Sequence, residues 1–450
     1  MGRTATRARG SVGSGAPDRR RASGPGRAGA PPRARGSRGR RAAGPAVLAR
    51  ESGAGRYGPV RLHQLVLLQV AAGVALAAWA VDGALLLPAA GLAAVLLVPA
   101  AVRWRGKSLP ERVADALALR RRRGNAAVAP ERGVPAGLAP VVECAPGLRS
   151  SAYAHRDGRV VGMVGDETFL TAVVRVEQRD AALRGRRGDR PLPLGPVYDA
   201  LEVDGVRLES AQVVQHTQPA PAPTLPPRAV AALSYAPLQR EAGTPAARLT
   251  WVALKLDPEL CREAVDARGG GLAGAQRSLV RAADHLASRL TGAGFRASVL
   301  SEDELVAALA TSAVADPLVT AQAGQPDATP VRRTAESARA WRCDGRWHTV
   351  YGVGHWPRLG AGGSPLPDVA AALSGVPALA STVSLTLARG PRESVAVSAQ
   401  VRITGRSAEE LAELRGRLEE AARGAGVGLT RLDREQVPGV LASLPLGGVR

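Results

Sequence analysis

Few residues of this chain stand at spacings that could do chemistry. Gly106-Lys107-Ser108 ends like a phosphate-cradling loop, in which backbone N–H groups and a lysine hold phosphates. That motif needs glycine at position 101, where Ala101 stands, and no strand leads into it. The run from Gly269 to Gly274 opens a helix, a place where anions can bind. A dinucleotide fingerprint would follow a strand directly. Here a helix around Cys261 intervenes, so the run reads as a helix breaker. His348 and His355, with Cys343 nearby, carry metal-ligating atoms, but seven residues apart on a regular strand they face opposite ways. Cys144, Cys261 and Cys343 have no paired spacing and read as buried thiols. Glu302, Asp303 and Glu304 read as the acidic first turn of a helix. There is no G-x-S-x-G elbow and no Asp-x-Asp pair. No catalytic, cofactor or metal site is expected, and no cofactor.

The elements that would position these residues alternate between strands and helices. Val160 to Val164 and Phe169 to Val176 form a hairpin about Gly165-Asp166-Glu167. Leu192 to Leu201 is a short helix, Val206 to Gln215 a strand, and residues 219–227 a proline-rich extended strap. Leu249 to Leu256 is the strongest buried strand. Pro258 to Ala267 and Leu272 to Leu290 are helices, followed by a strand at Arg296 to Leu300 and a helix at Glu302 to Thr311. Ala340 to Cys343 pairs with Trp347 to Val353, and Thr382 to Leu387 with Ser394 to Ile403. Ser407 caps a helix to Arg423, Val427 to Arg431 is a strand, and Val437 to Leu446 a short helix and loop. The expected class is an α/β or α+β cytosolic region with a mixed sheet. No fixed-period repeat is visible.

The organisation follows from charge. The 450 residues carry a net +21. Residues 1–61 hold +13 and residues 103–123 hold +6, while 124–450 hold only +3. Between the basic blocks lie two apolar runs, 62–81 and 84–102, separated by a turn at Asp82. Each has the ~20 residues that a helix needs to cross a bilayer. They are expected to form a transmembrane hairpin, with Gly73, Gly91 and Ala94 allowing close approach. Arg61, Arg103, Arg105, Lys107 and the run Arg120, Arg121, Arg122, Arg123 flank the hairpin, with Trp79 and Trp104 as interfacial anchors. Positive flanks and a turn without Lys or Arg are expected to place both termini in the cytoplasm, in a multi-pass protein of the plasma (inner) membrane.

Around the hairpin, residues 1–55 read as a disordered Arg/Gly/Pro-rich tail, either a start-site extension or a contact for anionic lipid headgroups. Residues 108–123 read as a juxtamembrane amphipathic helix with Ser108 as its cap, and 124–140 as a linker. Then come a cytosolic α/β region at 141–320, a mobile loop at 321–334, and C-terminal hairpins with a βα unit at 335–450.

This order of parts resembles the EccE component of actinobacterial type VII (ESX-like) secretion systems, especially streptomycete-like forms. The resemblance is carried by Arg56-Tyr57-Gly58-Pro59-Val60-Arg61-Leu62 and by Leu109-Pro110-Glu111 to Arg123. Val161 to Asp166, Val213 to Pro221, Arg248 to Pro258, Gly269 to Thr291 and Trp341 to Asp344 carry it further. It implies a non-enzymatic structural subunit of an inner-membrane translocon beside EccB-, EccC- and EccD-like partners, with the EccC partner hydrolysing ATP. A membrane-tethered transferase-like enzyme and a membrane-anchored nucleic-acid binder acting through the Arg-rich tail are the alternatives. No specific nucleic acid is expected.

Overall fold

A run of alternating apolar residues buries one face of a strand and a helix stripe buries the other, so the chain must stack helices on both sides of a sheet. The computed structural model describes residues 133–178, 191–218, 247–359, 363–390 and 394–448, with parts of 48–126 and of 228–237. Its α1 is Leu62–Val81 and its α2 is Leu109–Asn125. The short α3, Ala139–Val142, precedes three strands: β1 Arg149–Ala154, β2 Val160–Gly165 and β3 Leu170–Gln178. Then follow α4 Leu194–Asp199, β4 Ser210–Gln218, β5 Ala247–Leu256, α5 Arg262–Asp266, α6 Gly271–Gly292, β6 Phe295–Val299 and α7 Glu302–Ser312. The second part has α8 Pro317–Ala323, β7 Thr334–Glu336, β8 Trp341–Cys343, β9 Arg346–His355 and α9 Leu366–Ser374. It closes with β10 Ala380–Arg389, β11 Val395–Gly405, α10 Ala408–Gly424, β12 Gly428–Arg431 and α11 Gln436–Ser443.

The twelve labelled strands all join one sheet, in the order β7-β8-β9-β11-β10-β4-β5-β3-β2-β1, with β12 beside β9 and β6 beside β3. Every labelled pair is antiparallel; a parallel pairing sets Leu48–Ala49 against Val395–Ala396. The expected mixed α/β class therefore holds, with a sheet that is almost wholly antiparallel.

The sheet contains a repeat that the sequence conceals. β3-α4-β4-β5-α6-β6 is a βαββαβ unit with spatial order β6-β3-β5-β4. β9-α9-β10-β11-α10-β12 has the same order, β12-β9-β11-β10. Each unit is preceded by a strand pair (β1-β2, β7-β8) and followed by a helix (α7, α11). The units meet through β4 and β10, antiparallel, with Val214 opposite Ser384 near the centre.

One face packs α4 and α6 on the first unit, through Leu279, Leu286 and Leu290, and α9 and α10 on the second, through Leu373, Leu411 and Leu418. The other face is a single cluster across both units. It joins Leu305 and Leu309 of α7, Val437 and Val440 of α11, and Leu138 and Val141 to Val173, Val214, Trp251 and Val350. α7 begins with a capping box: Ser301 Oγ accepts from Glu304 N–H, and Ser301 N–H donates to Glu304. It starts hard against β2, where a Cβ on Gly162 would lie 2.5 Å from the Ser301 and Glu302 backbone. Only glycine allows that approach.

Several expectations change. The expected linker 124–140 ends inside the core, since Leu138 is buried and Pro140 opens α3. Residues 321–334 are not simply a loop: α8 reaches Ala323, and Arg333 is buried. Its guanidinium forks onto Asp344, with Nε–Oδ1 at 2.9 Å, and donates to Ala136 O and Thr320 Oγ1. The strand expected at Val206 to Gln215 is two pieces, because Val206–Arg207 turns back on Glu202–Val203 before β4 begins. α3, β1, α8, β7 and α9 had no counterpart in the expected element order.

Helix α1 has the boundaries expected of the first span. Several of its side chains lie outside the description. Among the described residues no helix is long and apolar enough to cross a membrane. No transmembrane hairpin is therefore seen among the described residues. The second span, 84–102, lies almost wholly outside the described residues, as do the tail 1–47 and the strap 219–227. Among the described residues a Cβ on Gly73 or Gly91 would meet nothing within 4 Å, and the span expected to pack there lies outside them. Ala94 lies outside them.

Candidate functional site

Two places in this fold concentrate polar side chains. The first is where α2 lies against the second unit. The α2 sequence LPERVADALALRRRRGN has one stripe facing the domain, with Leu119 buried. At its end, Arg122 grips Glu336 with two bonds: Nε donates to Oε2 at 2.8 Å, and Nη2 to Oε1 at 3.1 Å. Nη2 also donates to Arg434 O at 2.6 Å, and Arg123 Nε donates to Glu336 O at 3.0 Å. In return Arg434 Nη1 donates to Arg112 O at 3.3 Å. Glu336 also accepts from Val437 N–H at 3.0 Å, so one carboxylate ties α2, β7 and α11 together. Its side chain is 5% exposed. A charge-assisted bidentate pair is the strong kind of hydrogen bond. The opposite stripe of α2 leaves Val113 and Leu117 exposed, at 57% and 50%.

A cleft of about 190 Å³ opens beside this junction. Arg122, Arg123 and Arg332 line it with Glu143, Cys144 and Trp341. Glu143 accepts from Arg333 N–H, Thr334 N–H and Thr334 O–H, at 2.7 to 2.9 Å for the shortest of each. Burial, then the adjacent Glu143 charge, pushes the Cys144 thiol up to about 12. The Cys343 thiol is raised well above its usual value by burial, and Cys261 is raised for the same first reason. Each shift lowers the share of thiolate, the reactive form.

The prediction for the junction is direct. Glu336→Gln removes the charge that Arg122 grips, weakening the docking of α2 by about 1–3 kcal/mol. Tryptic cleavage at Arg122 and Arg123 should then accelerate by about tenfold or more. An unchanged cleavage rate would show that α2 is held by other contacts.

The second place is the centre of the sheet, on the face covered by α7 and α11. Each helix sends its C-terminal end onto the opposite unit. Arg402 of β11, fully buried, donates to Ser312 O at the end of α7 and to Thr382 Oγ1. The negative end of a helix dipole suits that cation. Arg402 Nε and Nη1 have no partner among the described residues. Burial lowers Arg402 to about 10. His216 hydrogen-bonds through Nδ1 to Thr382 Oγ1 at 2.8 Å, and His348 through Nδ1 to Thr404 Oγ1 at 2.9 Å. Burial first, then the Arg402 charge, lowers His216 to about 3 and His348 well below its usual range. Both imidazoles are neutral at physiological pH.

The end of α11 runs the other way. Gln212 of β4 donates to Ser384 Oγ at 2.8 Å and to Ala442 O at 2.7 Å, and accepts from Gly447 N–H at 2.8 Å. Thr171 Oγ1 and Ser210 Oγ donate to Leu446 O and Gly447 O. Gly447 (φ +89°) lies so close to Lys255 that an added Cβ would stand 2.5 Å from the lysine Cβ. Any larger residue there must displace the strand or the tail.

The residues selected from sequence are scattered. Arg61 stands in a two-residue strand paired with Arg56–Tyr57, and Arg103, Trp104 and Lys107 in a second small ladder. Arg105 and Gly106 lie outside the described residues. Trp79 is exposed on α1, and Arg120 and Arg121 are exposed on α2. Of the flanking cations whose side chains are described, Arg122 and Arg123 reach into a constellation. His348 is buried and His355 exposed, as opposite faces require, although a bulge interrupts β9 between Val353 and His355. Among the described residues no three His, Cys, Asp or Glu side chains are placed to hold a metal ion. The glycines at 269–271 take positive φ and lead into α6, in keeping with a turn. Glu336, Gln212 and Arg402 were not selected from sequence; the polar pattern Gln400-Val401-Arg402 in a strand was the one available signal.

Residues 244–353, from just before β5 to near the end of β9, match the family model described as "EccE: Putative type VII ESX secretion system translocon, EccE". Over these residues the chain is similar to that family. The matched segment includes α6, α7, β7, β8 and the cleft residues Arg332, Glu336 and Trp341, and so bridges the two units. No curated protein matches the chain.

Proposed function

We propose that this protein is a non-enzymatic structural subunit of the membrane translocon of a type VII secretion system. The observation that carries the reading is the EccE match over 244–353, which lies at the centre of the fold. In this reading the apolar runs 62–81 and 84–102 anchor the chain as a hairpin in the plasma membrane, with both termini cytoplasmic. Helix α2 leaves that anchor and docks on the domain through Arg122 and Glu336, fixing the domain's position relative to the bilayer. The domain then offers its surface to EccB-, EccC- and EccD-like subunits, and an EccC-like ATPase supplies the energy. The raised thiols and the neutral, hydrogen-bonded histidines favour a scaffold over a transferase. Deleting the gene should abolish export of the system's substrates, and the full chain should restore it. Normal export from the deletion strain would overturn the proposal.

A further inference from the structure

We propose that the cleft at the α2 junction binds the phosphate-ester headgroup of an anionic phospholipid. This deepens the proposed function and rests on its membrane anchoring. Three guanidiniums, Arg122, Arg123 and Arg332, line the cleft against two carboxylates, Glu143 and Glu336. One positive charge is left over, which suits a phosphodiester. Both carboxylates are already engaged, Glu336 by Arg122 and Glu143 by backbone N–H groups and Thr334. They therefore compete weakly with an incoming anion.

Trp341 supplies an independent pointer. It lines the same cleft and is 1% exposed, yet its indole N–H has no oxygen or nitrogen acceptor. It leans only on the Cys144 sulfur, enough to oppose that thiol's rise, and a thiol sulfur is a weak acceptor. A buried donor left to a weak acceptor is costly, and a ligand oxygen in the cleft would relieve it. Val134, Ala139, Val142 and Val437 give the cleft an apolar wall. Guanidiniums beside an apolar wall fit a phosphate carried on a hydrocarbon tail better than a free phosphate.

The position of α2 argues for the same source. Its outer stripe exposes Val113 and Leu117 with Arg120 and Arg121, the pattern of a helix lying on an anionic membrane surface. The same helix, by its other stripe, holds the cleft against the domain.

The test uses the full chain in mild detergent, followed by native mass spectrometry. The probes are short-chain phosphatidylglycerol, short-chain phosphatidylcholine and inorganic phosphate. Phosphatidylglycerol should bind saturably and at least tenfold tighter than phosphatidylcholine. Arg123→Gln and Arg332→Gln should each weaken it at least fivefold, and Trp341→Phe at least twofold, in proteins that melt within a few degrees of the parent. Equal affinity for the two lipids, or binding unchanged in all three variants, would overturn the site. Inorganic phosphate displacing the lipid at equal concentration would overturn the lipid assignment in favour of a free anion. Retention in the membrane pellet after alkaline wash is scored separately. A chain that pellets but binds no phosphatidylglycerol fails this inference alone, and a chain that does not pellet fails the anchoring reading.

Discussion

Gln212→Ala should lower the stability of the domain by about 3–5 kcal/mol, the largest effect expected of a single substitution outside the apolar core. Gln212 is fully buried and serves three groups at once: Ser384 Oγ, Ala442 O and Gly447 N–H. Truncation strands the Gly447 N–H in the interior and removes one of the two donors to Ala442 O. Each stranded group costs about 1–3 kcal/mol, and the lost side-chain volume adds a cavity term. The effect should not stay local. Gln212 belongs to the first unit, while Ala442 and Gly447 follow the second, so losing the clamp releases the α11 segment from the β4–β10 seam. The melting temperature, followed by tryptophan fluorescence in detergent, should fall by roughly 6–15 °C. Gln212→Met, which keeps the volume without the bonds, should lose most of the same stability. A fall of under 2 °C in both variants would mean that the clamp is not what joins the units.

Acidification should weaken the same seam. His216 and His348 are held neutral in the fold, with His216 lowered to about 3 and His348 also far down. In the unfolded chain both titrate near ~6.5. A depressed folded value means that protons bind the unfolded state preferentially. Stability is therefore full above pH ~6.5 and is lost as pH falls toward the folded values. Each histidine contributes a loss of about 1.4 kcal/mol per pH unit below that point, or about 4 kcal/mol for the pair between pH 7 and 5. That window lies above the range where most carboxylates titrate. His216→Gln and His348→Gln should each reduce the slope of melting temperature against pH by about half. A slope that is flat between pH 7 and 5 in the parent protein would contradict the burial of neutral imidazoles.

Much of the framework was legible because it rests on local pattern. LTWVALKL, with its β-branched and aromatic residues, becomes the central strand β5. Ser301 and Ser407 begin helices as their spacing to Glu304 and Glu410 requires. Other elements lacked such signals. RSSAYA of β1 has no β-branched residue, and its strand form comes from pairing with β2. α9 did carry one, Pro365 followed by Asp368 in its first turn, and could have been found. The repeat was hidden because the units share topology while their loops and side chains differ: Arg402 in β11 faces the same side of the sheet as Lys255 in β5.

The candidate sites were less legible, for a plain reason. Arg122 was selected as a membrane-flanking cation, but nothing near it in sequence announces Glu336, 214 residues away. Arg333 sits in a polar, proline- and glycine-punctuated stretch that looks solvent-exposed. Only the fold brings Asp344 and Glu143 to it. Long-range pairing of charges is set by topology, and local composition does not encode it.

The account depends most on the chain being part of a larger membrane machine. The most direct measurement is affinity purification of the full chain from its native membranes in mild detergent, with the associated proteins identified by mass spectrometry. The account predicts recovery of an EccC-like ATPase with EccB- and EccD-like membrane subunits in fixed ratio. A single, partnerless species under conditions that keep the other subunits assembled with one another would contradict it.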